Sequence, residues 1–160
     1  MSRVQLALNV SDVDEAVAFY TKLFATAPAK RRPGYANFAV ADPPLKLVLI
    51  EGAGSPGTLN HLGVEVESTD DVAATTRRLS DEGLATAAED HVTCCYALQD
   101  KVWVEDADGA PWEIYTVLAD AEAGPTGALR SGEPTTVATT AACCAGRADL
   151  TEQTVPAGSR

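Results

Sequence analysis

Val4, Leu6, Leu8 and Val10 alternate along the start of the chain with Gln5 on the opposite face, a two-residue period that predicts a strand. Ser11 follows as a helix cap, with Asp14 three residues on. Val13, Ala16, Val17, Tyr20, Leu23 and Phe24 then recur at helical spacing, which predicts an amphipathic helix over 12–24. Residues 25–33 read as a connector in which Lys30, Arg31 and Arg32 form a solvated turn. Strands at 35–41 and 45–50 flank the turn Asp42-Pro43-Pro44, and the glycines between 52 and 57 mark a linker.

The pattern then restarts. Residues 60–66 repeat the first strand, and Ser68 with Asp71 repeats the cap. A helix over 70–82 closes at Gly83. Strands are expected at 92–98, 101–105 and 111–117, with turns at Gln99-Asp100 and 106–109. One strand–helix–strands unit is therefore written twice, as modules 1–52 and 58–119 of a single domain, 1–119. Residues 120–160 lose this periodicity and turn to Ala, Gly, Thr and Pro. Such a segment buries too little apolar surface to offset its ordering entropy, and disorder is expected there.

Among 160 residues the formal net charge is −11, which argues against nucleic acid and anionic membrane surfaces as partners. No apolar run reaches 18 residues and the start leads straight into a strand, so the expectation is a soluble, cytoplasmic protein. The four cysteines form two vicinal pairs, Cys94-Cys95 and Cys143-Cys144. Adjacent residues are poor candidates for a structural disulfide, and four reduced thiols are expected. A pair of neighbouring thiolates is a soft bidentate trap for trivalent arsenic or cadmium.

Superposing the copies sets Gln5 opposite His61 and Lys46 opposite Glu113. If the duplicated sheets curl toward each other, Gln5, His61 and Glu113 converge, and together they make a facial amide–imidazole–carboxylate set suited to Fe(II) or another divalent ion. A lone strand histidine is more often a core residue than a ligand, and Gln5 alone is an ordinary polar strand residue. Glu113, between Trp112 and Ile114, needs a cationic partner if buried. Tyr96, Trp103 and Tyr115 read as sheet packing, with Tyr96 a candidate for the pocket wall, and His91 reads as solvated in an acidic loop.

The layout resembles the vicinal oxygen chelate superfamily of glyoxalase I and the extradiol dioxygenases. Within it, the chain is most similar to the carbon–arsenic lyases and cadmium-induced proteins. The resemblance rests on Arg32-Pro33-Gly34-Tyr35-Ala36-Asn37-Phe38, Leu59-Asn60-His61-Leu62-Gly63-Val64-Glu65-Val66, Thr93-Cys94-Cys95-Tyr96 and Trp112-Glu113-Ile114-Tyr115-Thr116-Val117. It also takes in 43–49 and 99–104, and covers residues 1 to about 118. It implies an α+β fold, two βαβββ modules curled into a mixed half-barrel sheet with the helices outside. It implies an Fe(II)- and dioxygen-dependent lyase acting on a small trivalent organoarsenical, methylarsenite or an aromatic arsenite, and releasing arsenite. Gln5, His61 and Glu113 would hold the iron, with His61 and Glu113 the catalytic pair, and Cys94 and Cys95 would hold the arsenic. The chain departs from a two-histidine, one-carboxylate triad at Gln5, a weaker ligand.

Adjacent side chains of a regular strand face opposite ways, so Cys94 and Cys95 can grip one atom only from a loop or bulge. That irregularity is expected at the strand's start, in a segment that moves on substrate binding, and it leaves room for the sulfurs to stand apart beforehand. Two other readings stay open: a non-catalytic cadmium- or arsenite-binding stress protein, and another dioxygenase or lyase of the superfamily. Monomer and homodimer are equally compatible with the sequence.

Overall fold

The computed structural model describes residues 2–122. The first module runs β1 (Arg3–Val10), α1 (Val13–Phe24), β2 (Lys30–Arg32), β3 (Tyr35–Val40) and β4 (Leu45–Glu51). The second repeats that order as β5 (Leu59–Glu65), α2 (Thr69–Asp81), β6 (Thr86–Cys94), β7 (Ala97–Glu105) and β8 (Pro111–Asp120). All strands join one eight-stranded sheet, ordered β2-β3-β4-β1-β5-β8-β7-β6. In each half the first strand pairs parallel with the last, and the halves meet antiparallel at β1 and β5. The duplication read from the chain is thus the symmetry of a curled mixed sheet with two helices.

Strand alternation separates two faces. Leu6, Leu8, Phe38, Leu47 and Leu49 pack beneath Val13 and Val17 of α1. On the other face Ala7, Tyr35, Val48 and Ile50 gather with Cys95 and Tyr96. The same alternation puts Gln5, between Val4 and Leu6, on the face away from the helix.

Several boundaries differ from the sequence reading. Asp12, not Ser11, caps α1: its Oδ1 accepts from the backbone N–H of Asp14 and Glu15 at 2.8 and 2.9 Å. Ser68 caps α2 as expected, and Gly83 follows that helix with φ 81°. Residues 30–32 are an edge strand rather than a solvated turn, paired with β3, with Arg31 bound to Asp14 and Lys30 to Asp120.

Gln99 and Asp100 lie inside β7 and not in a turn. Asp100 accepts from the Thr69 hydroxyl and the His91 N–H at 2.6 and 2.7 Å. Its partners are remote in sequence, so its polarity imitates a turn. The chain reverses instead at Cys95-Tyr96, and β6 starts at Thr86, earlier than expected. His91 is exposed as expected, but on β6, where the register shifts, with φ 52°. No helix among the described residues is long and apolar enough to cross a membrane. The predicted disorder of the tail, and Cys143-Cys144, lie outside the described residues.

Candidate metal and dithiol site

β1, β5 and β8 are neighbours in the sheet, and each delivers one side chain to a common point. Gln5 Nε2 lies 2.6 Å from Glu113 Oε1 and 3.0 Å from His61 Nε2, which in turn lies 3.2 Å from Glu113 Oε1. All three residues are buried. The convergence expected of Gln5, His61 and Glu113 is present.

The ring of His61 is fixed from behind. Its Nδ1 lies 2.7 Å from Asn60 Oδ1, so Nδ1 carries the proton and the Nε2 lone pair faces the site. Asn60 donates to Asn9, and Asn9 to Thr58, each at 2.9 Å. The Trp103 ring stands edge-on to the imidazole, 5.5 Å between centroids.

Glu113 is satisfied on both oxygens, since Lys101 Nζ reaches Oε2 at 2.9 Å. Burial opposes its charge, but the Lys101 ammonium beside Oε2 outweighs that, and the carboxyl stays far below the usual carboxylate range. Lys101 is 1% exposed and escaped the sequence reading; a lysine inside the apolar run 101–104 was the available signal. Gly63 escaped it too. A Cβ there would stand 3.0 Å from Glu113 Cγ and 3.3 Å from Gln5 Cβ, so this bare position lets the two approach. Tyr115, expected only to pack, donates its hydroxyl to Gln5 Oε1 at 2.5 Å. Burial and the nearby charges of Glu113 and Glu65 hold that phenol protonated.

The vicinal cysteines sit at the end of β6, not its start. Cys94 pairs with Ala97, which leaves Cys95 and Tyr96 as a two-residue hairpin turn with φ 51° and 64°. Two left-handed residues rotate the second thiol back toward the first, and the sulfurs lie 3.3 Å apart rather than splayed. That is beyond the roughly 2.05 Å of a disulfide, so the pair is reduced. Neither residue is the Asn or Gly such turns prefer, at a conformational cost of about 1–2 kcal/mol each. Tyr96 covers the turn, its ring 5.4 Å from that of Tyr35.

Gln5, His61, Glu113, Cys94, Cys95, Gln99 and Lys46 line one small enclosed cavity of about 10 Å³, room for a single water-sized group. A wider opening of about 270 Å³ shares Cys95, Gln99, Tyr35 and Lys46 with it. Gln99 Oε1 is buried and has no hydrogen-bond partner among the described residues. Among the described residues no three His, Cys, Asp or Glu side chains cluster for a metal, and a centre at this point would draw on the Gln5 amide besides His61 and Glu113. By donor type an amide oxygen, an imidazole and a carboxylate suit a divalent ion, and the three side chains meet within 2.6–3.2 Å, but the Gln5 atom turned inward is the amide nitrogen rather than the oxygen a cation needs.

A family model described as the Glyoxalase/Bleomycin resistance protein/Dioxygenase superfamily matches residues 3–114. The cadmium-induced protein CadI of Mycobacterium tuberculosis is 63% identical over 122 residues, 76% of this chain and 80% of that protein. The trivalent organoarsenical cleaving enzyme of Thermomonospora curvata is 62% identical over 123 residues, 76% of this chain and 82% of that protein. Among solved structures, an extradiol ring-cleaving dioxygenase from B.fuscum superposes with a TM-score of 0.54 at 20% identity. That match covers 75% of this chain and 34% of the dioxygenase, and it speaks to the fold alone.

Proposed function

The chain belongs to the Glyoxalase/Bleomycin resistance protein/Dioxygenase superfamily, and from that premise we propose that it cleaves the carbon–arsenic bond of trivalent organoarsenicals such as methylarsenite or aromatic arsenites. One observation carries the reading: two thiols 3.3 Å apart open into the same cavity as a convergent amide, imidazole and carboxylate.

In this proposal Cys94 and Cys95 displace the two hydroxyls of an arsenite, releasing two waters and fixing arsenic by two As–S bonds. The turn at Cys95-Tyr96 presets both sulfurs, so little ordering remains at capture. Gln5, His61 and Glu113 would hold Fe(II), which would supply one-electron chemistry toward dioxygen. Asn60 keeps the His61 lone pair turned inward, Lys101 keeps Glu113 ionised, and the narrow cavity excludes bulk water.

The second reading is a cadmium or arsenite sink, favoured by the same thiols and by the name of the CadI relative. It needs Cys94 and Cys95 but has no use for His61 or Glu113. The test loads the protein anaerobically with Fe(II), admits air and methylarsenite, and measures arsenite release. Release by wild type, lost in both Cys95→Ser and His61→Ala, is expected. Arsenical binding without release in wild type selects the sink.

A further inference from the structure

Gln5 presents the end of its amide that repels a cation. The carboxylate of Glu113 accepts, and so does His61 Nε2 once Nδ1–H is given to Asn60. Only an NH2 group can sit between two acceptors, and the Gln5 nitrogen does so at 2.6 and 3.0 Å. Its oxygen, the atom a divalent ion requires, points the other way and accepts from the Tyr115 hydroxyl. That same hydroxyl lies 3.3 Å from Glu65 Oε2. Arg3 Nε at 2.9 Å and Lys46 Nζ at 3.3 Å hold this Glu65 oxygen in place.

Resting on the metal site proposed above, we propose that Tyr115 and Glu65 form a hydrogen-bond relay that turns the Gln5 amide over when a divalent cation is taken up. Oε1 then faces the cation, Nε2–H donates to the Tyr115 oxygen, and the Tyr115 proton swings to Glu65. In the structure described here the hydroxyl donates to a neutral amide. After the turn it accepts one bond and donates a charge-assisted one to a carboxylate, so the relay favours the loaded form. Tyr115 and Glu65 are positioning residues; neither touches the ion.

Mn(II) is the probe, because as a hard ion it prefers oxygen and nitrogen donors over the thiols, and its free aquo form is counted by electron paramagnetic resonance. Tyr115→Phe and Glu65→Gln are each expected to weaken Mn(II) binding by about tenfold. The double variant is expected to lose no more than either single one, because both break one relay. In the Mn(II)-loaded crystal the Tyr115–Glu65 separation is expected to fall below its present 3.3 Å. Additive losses, unchanged affinity in both variants, or an unshortened separation with Gln5 against Mn(II) would overturn the relay. Should Tyr115→Phe not fold, Glu65→Gln and the loaded crystal still decide. Equal Mn(II) affinity in His61→Ala and wild type would remove the metal site itself. A relay that behaves as expected in a protein that releases no arsenite would remove only the lyase reading.

Discussion

Lys30 Nζ donates to the backbone carbonyl of Tyr96 at 3.0 Å, so an edge strand of the first module holds the dithiol turn of the second. The same ammonium pairs with Asp120 at the end of β8. Lys30→Met is expected to speed amide hydrogen exchange at 94–97 and to weaken arsenical binding roughly threefold to tenfold. Unchanged exchange there would mean that Tyr96 packing on Tyr35 suffices to hold the turn.

Gly63 faces both Gln5 and Glu113 across the sheet. The Cβ of Gly63→Ala would meet Glu113 Cγ at 3.0 Å and its backbone oxygen at 3.2 Å, with backbone unable to yield cheaply. We expect a loss of about 1–3 kcal/mol in urea unfolding. A larger proportional loss of divalent-ion affinity, read by the same Mn(II) measurement, is expected as the ligands are pushed apart.

Asn60 is the sole fixed acceptor described for the Nδ1 proton of His61. Asn60→Leu leaves that proton without a partner in a buried place and frees the ring to turn. Divalent-ion affinity is expected to fall about 10- to 100-fold with little change in arsenical binding by the thiols. Equal losses of both would place Asn60 in general folding instead.

Asp100 ties α2 and the β6 irregularity to β7. The Thr69 hydroxyl and then the His91 N–H hold its carboxyl below the usual carboxylate range. A lowered folded value means that the stabilisation is complete above that range and is lost as pH falls through the folded value. Asp100→Asn is therefore expected to cost about 1–2 kcal/mol at neutral pH. Its deficit against wild type should shrink as pH falls below the usual carboxylate range, followed by urea unfolding across that interval.

The hydrophobic periods and capping residues made the duplicated unit legible, because each depends on neighbours within a few positions. Gln5, His61 and Glu113 were legible for a related reason: polar residues at matched places in two copies of an apolar strand call for a shared partner. Lys101, Tyr115 and Gly63 were not, since each acts through a contact whose other member lies across the sheet. Gln99 and Asp100 suggest a turn for the same cause, since their polarity belongs instead to the cavity and to Thr69.

From its residues alone this protein is a twice-written strand–helix–strands unit with an adjacent thiol pair, because local spacing dictates elements and the order of residues dictates the pair. The tertiary structure decided the rest. It set which end of the Gln5 amide faces inward, and through two left-handed residues at Cys95 and Tyr96 it brought the sulfurs together. Strand alternation fixes which face a side chain joins, but only the pairing of β1, β5, β7 and β8 determines what it meets there.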